Sequence, residues 1–323
     1  MLRNFQMLSV LLMLSIFLIT CEQTQDGEEN GELELTQFYT EDINSAPRFL
    51  NLETGNYSTQ DYDLSFQSGQ MTYQVALNST AGVLAFATDT ISFDTDELPA
   101  VGYSPDSSGL IIGDTWMDES TYNPSDHSIS SNSMIYFIRS TDYRWVKFRV
   151  LQASPSAFTI EYAEFAEGSG FGDIQSKTIA YSSSAPGLFS FKTGDVVEPS
   201  SWDMVFATTP EYSTELQTNF YMPTILFNGS AGVKVGIIDD MEAANITEVP
   251  ADINWISDSS AEHPFGNGGS HPVLVYHPEP PYNHKVIVEE PTLIYIIDTP
   301  SGQYMLRFDD YSSGIVVYSY AAI

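Results

Sequence analysis

Polar and apolar residues alternate in short runs along most of this chain, as in Ile135-Tyr136-Phe137-Ile138 and Val316-Val317-Tyr318-Ser319-Tyr320, with Gly, Pro, Asn and Asp between the runs. A period of two puts every second side chain on one face, which is the pattern of a half-buried strand. Ser140-Thr141-Asp142-Tyr143 and Thr299-Pro300-Ser301-Gly302 read as the turns of two matching hairpins. Beyond the N-terminal segment no long stretch keeps helical spacing. The pattern therefore predicts an all-β chain of antiparallel sheets.

The blocks also repeat. Phe49-Leu50-Asn51-Leu52-Glu53-Thr54-Gly55 is echoed by Phe189-Ser190-Phe191-Lys192-Thr193-Gly194, and Tyr62-Asp63-Leu64-Ser65-Phe66 by Trp202-Asp203-Met204-Val205-Phe206. Asn78-Ser79-Thr80-Ala81-Gly82-Val83 matches Asn228-Gly229-Ser230-Ala231-Gly232-Val233, and Glu97-Leu98-Pro99-Ala100 matches Glu248-Val249-Pro250-Ala251. The Trp116 region is set against the Trp255 region, and Tyr136 to Arg149 against Tyr295 to Phe308. The common order predicts two tandem β domains, over 45–168 and 185–323, with the break near 167–170 or around 182–184.

The first residues form a different unit. Arg3 precedes an apolar run from Met7 to Ile19 that ends in Leu18-Ile19-Thr20-Cys21. This is the layout of a secretory signal over 1–20, and the run is too short for a bilayer-spanning helix, which needs about 20 apolar residues. An aliphatic residue three places before the single cysteine resembles the bacterial lipobox, which implies a diacylglycerol and acyl lipid on Cys21. Thr20 departs from the usual small residue there, and a plain signal peptide with an incidental cysteine is the alternative. The acidic segment that follows lacks the apolar area to order itself, and 21–44 reads as a flexible tether. Its acidity also resembles the surface-export signal of Bacteroidetes lipoproteins.

Of the 323 residues 42 % are hydrophobic and 13 % aromatic, enough to bury one or two substantial cores without any internal disulfide. The formal charge of -32, with 11 Lys and Arg, argues against nucleic acid as a partner. It argues equally against an anionic membrane surface, leaving the lipid as the membrane attachment.

The order of FSFKTGDVV, SWDMVF, NGSAGV, EVPAD and LIYIIDTPSGQYMLRF, ending in GIVVYSYAAI, resembles the HmuY-like haem-binding lipoproteins of Bacteroidetes. The resemblance covers residues 185–323 well and 46–165 in a more diverged form. It implies a non-enzymatic, outer-membrane, surface-exposed lipoprotein for iron acquisition, which takes haem from a host haem protein and passes it to a TonB-dependent receptor. It further implies two axial His or Met side chains on two loops, in the segment between Pro250 and Tyr295. Haem iron needs one or two imidazole or thioether donors in a dry pocket.

That segment holds His263, His271, His277 and His284. The resemblance points to His277 with His271, the latter beside a Gly-rich stretch suited to a mobile arm, and leaves His263 and His284 in reserve. The first copy offers only His127, with Met117 and Met134 as nearby thioethers. Exposed loop histidines without a ligand role, or a surface metal site built with Glu262 and Glu279, are the competing readings. Haem propionates prefer a basic rim, and Lys285 is the only basic residue between Lys234 and Arg307.

No Gly-x-Ser-x-Gly elbow, His-Glu-x-x-His pair or Walker loop is present, and paired carboxylates such as Asp239-Asp240 and Asp309-Asp310 carry no information in so acidic a chain. The alternatives to haem are adhesion or glycan or protein binding, for which Tyr143, Trp145 and Tyr304 would cluster on one face, and an accessory role in an uptake complex.

Overall fold

The computed structural model describes residues 34–59, 61–68, 72–106, 109–238, 248–259 and 262–323. The expected signal peptide, Cys21, the first part of the expected tether, and Asp239-Asp240 lie outside them; the rest of the stretch expected to be a tether is ordered instead, Thr36–Tyr39 pairing with Ile315–Ala322 and Ile43 fully buried in the second core. The described residues are nearly all β, with short 3-10 turns at Ser79–Ala81, Glu119–Thr121 and Gly229–Ala231. Among them no helix is long and apolar enough to cross a membrane.

The alternating runs become strands for the reason their pattern suggests. In Ala157–Ala166 the side chains of Phe158, Ile160 and Tyr162 are buried on one face. On the other face Glu161 meets Arg149 across the ladder at 2.6 Å. Ile135–Arg139, Trp145–Ser154 and Ala157–Ala166 run as an antiparallel meander in a seven-stranded sheet, with Leu84–Thr88 on its outer side. The other half repeats the design: Ile294–Thr299, Gly302–Ser312 and Ile315–Ala322 form the meander, and Lys234–Ile238 takes the outer position. Both predicted turns are present, closed by Thr299 opposite Gly302 and by Ser140 N–H donating to the Arg144 carbonyl.

The opening strands of the repeats cross over. Gly187–Ser190, from the second copy, pairs with Leu64–Ser68 of the first, while Arg48–Leu50, from the first, pairs with Met204–Ser213 of the second. Phe189 and Phe191 accordingly sit in the first core with Phe66, Phe148 and Tyr162, and Leu50 and Leu52 in the second with Met204 and Phe206. The boundaries 45–168 and 185–323 thus divide the sequence repeats but not the sheets, and residues 33–323 form one compact unit. Strand partners are chosen by register and burial, and nothing requires them to be the nearest along the chain.

A buried carboxylate clasps each crossover. Asp63 Oδ2 accepts the Phe191 N–H at 2.7 Å while its Oδ1 accepts the Thr141 N–H at 2.7 Å, and Asp203 Oδ2 accepts the Leu52 N–H at 2.7 Å. The two Asn-to-Gly turns also match, capped by Gly82 at φ +82° and Gly232 at φ +90°. Behind them Asp106 accepts the Leu77 N–H at 2.8 Å and Asp258 the Phe227 N–H at 2.6 Å.

One sequence match needs correction. Ala85 bridges Ser104 and Val235 pairs with Ile256, so the counterpart of Trp255 is Tyr103 rather than Trp116. Trp116 is fully buried elsewhere in the first core, its indole N–H donating to the Tyr73 carbonyl at 3.2 Å.

Between the halves Arg139 reaches across to Thr208, donating to its carbonyl at 2.7 Å and its hydroxyl at 3.1 Å. The guanidinium lies 4.2 Å from the Tyr143 ring centre and 5.4 Å from that of Tyr221. Tyr143 accepts the Thr208 N–H at 2.8 Å and donates to the Ile43 carbonyl at 3.1 Å.

Candidate functional site

Two of the histidines of the second half, His277 and His284, belong to one arm. Leu274–His277 and Lys285–Val288 form a separate two-stranded hairpin, register His277 to Lys285, with residues 278–284 as its tip. Leu274 and Val288 root the arm in the second core, whereas Tyr276 and Tyr282 are each 40 % exposed. Successive residues of a strand face opposite ways, so Tyr276 and His277 present two different faces.

On one face His277 Nε2 lies 2.7 Å from Glu289 Oε2, and its ring is 5.0 Å from that of Tyr282. Glu289 also lines a cavity of about 400 Å³, together with His271, Glu290, Asn254, Tyr295 and the aliphatic side chains of Ile237, Ile256 and Leu293. Of the two expected ligands, His271 lines this cavity, and His277 is held by Glu289 of its wall. Ligation by His277 Nε2 would require Glu289 to release it.

On the other face Tyr276 Oη is 2.5 Å from His284 Nδ1. His284 has φ +63° and Asn283 φ +49°, a left-handed region costly for residues with a Cβ. The first half contains the same arrangement: Tyr122 Oη is 2.5 Å from His127 Nδ1, and His127 has φ +57°. The registers agree, because Asn123 bridges Ser128 as His277 pairs with Lys285. His127 is thus the counterpart of His284, in Tyr122-Asn123-Pro124 to His127 as against Tyr276-His277-Pro278 to His284. The shared Tyr-x-Pro followed by His was readable in the sequence, but the unequal spacing hides it from a search at constant offset.

His263 is placed differently. It is largely buried beside a cavity of about 70 Å³ bordered by Ser79, Gly82 and Leu84 from the first half and by Thr209, Thr224 and Leu226 from the second. Burial pulls its pKa below the ordinary value, and its Nδ1 has no hydrogen-bond partner. So small a space admits water but no porphyrin.

The stretch expected to be a mobile arm, 264–270, is pinned instead. Phe265 is fully buried against Phe227, ring centres 5.1 Å apart, and a Cβ on Gly269 would meet the His263 and Pro264 carbonyl oxygens at 2.4 Å. The hairpin after it is a separate two-stranded sheet, rooted in the second core by Leu274 and Val288. Nor do the aromatics expected of a glycan platform share an exposed face: Tyr304 is buried, Tyr143 stacks on Arg139, and Trp145 packs on Tyr103 with ring centres 4.6 Å apart. Among the described residues no three His, Cys, Asp or Glu side chains group to hold a metal ion.

No protein-family model matches the chain, and no curated protein or solved structure matches it.

Proposed function

We propose that the chain is a lipid-anchored binding protein of the outer membrane, a tandem duplication whose second half captures haem for an uptake receptor. The observation that carries this reading is the arm. It holds the His277 imidazole against Glu289, a residue of the wall of a cavity that also bears a second imidazole, His271. These are donor types that hold haem iron, and tyrosine and proline side chains offer a flat apolar surface for a macrocycle. Lys285, paired with His277 across the hairpin, is a cation that a propionate could meet. The lipobox resemblance and acidic leader support the location.

The test is a haemin titration of the full chain carrying Cys21→Ser to prevent acylation. A saturable Soret shift is expected. A spectrum identical to that of free haemin would overturn the reading. A specific observation favours a second reading in that event: Glu289 and Glu290 on the cavity wall suit a hydroxyl-rich ligand such as a glycan better than an anionic porphyrin edge. A glycan screen by calorimetry would then show heat that is lost in Glu290→Gln.

A further inference from the structure

We infer that the hairpin of Met204–Ser213 and Thr218–Phe227 is a self-association element, whose outer edge, Thr218 to Met222, pairs antiparallel with the same edge of a second copy of this chain. The inference goes beyond the haem reading and stands without it.

The two halves differ in this hairpin. In the first half the equivalent strands, Leu64–Ser68 and Tyr73–Leu77, pair over 5 residues each, from Leu64 opposite Leu77 to Ser68 opposite Tyr73. In the second half the pairing runs over 10 residues each, from Met204 opposite Phe227 to Ser213 opposite Thr218. Only Met204, Val205 and Phe206 also pair with Arg48–Leu50, so the outer part of the hairpin is a two-stranded ribbon rather than part of a wider sheet. Two strands alone are marginal in water, and each added residue costs conformational entropy that burial has to offset. Here the burial is poor, because Tyr212, Leu216, Phe220 and Tyr221 are between 37 % and 64 % exposed. Asn219 Nδ2 donates to the Ala100 carbonyl at 3.1 Å, which sets the exposed Val101 beside the same ribbon. A cluster of exposed apolar side chains of this kind marks an interaction surface.

The edge of the ribbon says what covers it. Among the described residues Thr218–Phe227 ladders only with Met204–Ser213, which leaves its other edge from Thr218 to Met222 without a strand. Pro223, which has no N–H, closes that stretch at its inner end. Exposed edges are ordinarily blunted by charge, above all by lysine. This strand, Thr-Asn-Phe-Tyr-Met-Pro-Thr-Ile-Leu-Phe, has no charged residue in a chain with 43 Asp and Glu. Its lack of charge decides between partners. A basic partner drawn by the formal charge of -32 would find no carboxylate on this strand, whereas a second copy meets its own like with no charges opposed. The carboxylates of the hairpin itself, Glu211 on the neighbouring strand and Glu215 in the turn, are kept apart by antiparallel pairing. The two strands that carry Glu211 end three strand spacings apart, about 14 Å, beyond the screening length of about 8 Å at physiological salt. The turns that carry Glu215 lie at opposite ends of the paired strands. A two-fold axis at Phe220, the middle of the open edge, makes the contact closed, so association stops at the dimer.

The deciding experiment is sedimentation velocity of the full Cys21→Ser chain over a range of concentrations. A monomer–dimer equilibrium is expected, and Phe220→Lys should weaken it about 10–100-fold by setting like charges against each other across the axis. Phe220→Cys in the Cys21→Ser chain, then its only cysteine, should form an inter-chain disulfide on mild oxidation. Leu216→Cys in the same chain should not, although Leu216 is the more exposed at 64 %, because the two turns are held at opposite ends. Both positions are exposed, and unchanged circular dichroism verifies that each variant folds. A monomer at every concentration would overturn the inference, as would a dimer that survives Phe220→Lys or one that cross-links through Leu216→Cys instead of Phe220→Cys.

Discussion

At the scale of the residue, the chain depends on a few positions where geometry leaves no freedom. A Cβ on Gly229 would lie 1.5 Å from the Asp258 carbonyl oxygen, so Gly229→Ala must displace the backbone that carries the Asp258 clasp. Gly232 has open space around it but sits at φ +90°, so Gly232→Ala should cost only the conformational term, about 1–2 kcal/mol. Chemical denaturation of the two variants should rank them in that order. Asp63→Ala strands the buried N–H groups of Phe191 and Thr141 and should cost about 1–3 kcal/mol for each donor left unpaired. The clasp aspartates look like ordinary acidic residues in the sequence. Their role comes from donors 128 and 78 residues away, which no local pattern reveals.

At the scale of the element, alternation was enough to find the strands and turns, because a period of two is a property of consecutive residues. Pairing is not such a property. The sequence repeat suggested two separable domains, yet the strand that opens each repeat completes the sheet of the other. Cleavage of the chain near residue 184 should therefore leave two fragments that stay together in size-exclusion chromatography. Separation into independently folded halves would contradict the crossover. Phe191→Ala should loosen this association by removing a ring packed among Phe148, Phe189 and Tyr162, at about 3–5 kcal/mol for a buried phenylalanine. The arm shows the same division. Its strand residues were legible, but the segment expected to move is anchored by Phe265, and the next hairpin forms a sheet of its own.

At the scale of the whole molecule, charge and burial act together. Burial pushes the Asp63 and Asp258 carboxyls up to about 7, from an ordinary value near 3.8, against the hydrogen bonds that favour their ionised forms. A raised folded-state pKa means that the folded protein binds the proton more tightly than the unfolded chain. This stability is complete below about 4 and is lost as pH rises through about 7. Repulsion within a chain of formal charge -32 grows in the same direction. Thermal unfolding followed by circular dichroism should show a midpoint higher at pH 5 than at pH 8, and Asp258→Asn should flatten that dependence. The sequence by itself determined the class of fold, the repeat, the acidity and the few histidines from which a site had to be chosen, because these depend on residue type and local order. Only the tertiary structure decided which strands complete which sheet, which carboxylates are buried, and that His127 corresponds to His284 with a tyrosine against each. Those are relations between residues brought together by packing, and packing is settled by the summed burial of the whole chain rather than by any one segment.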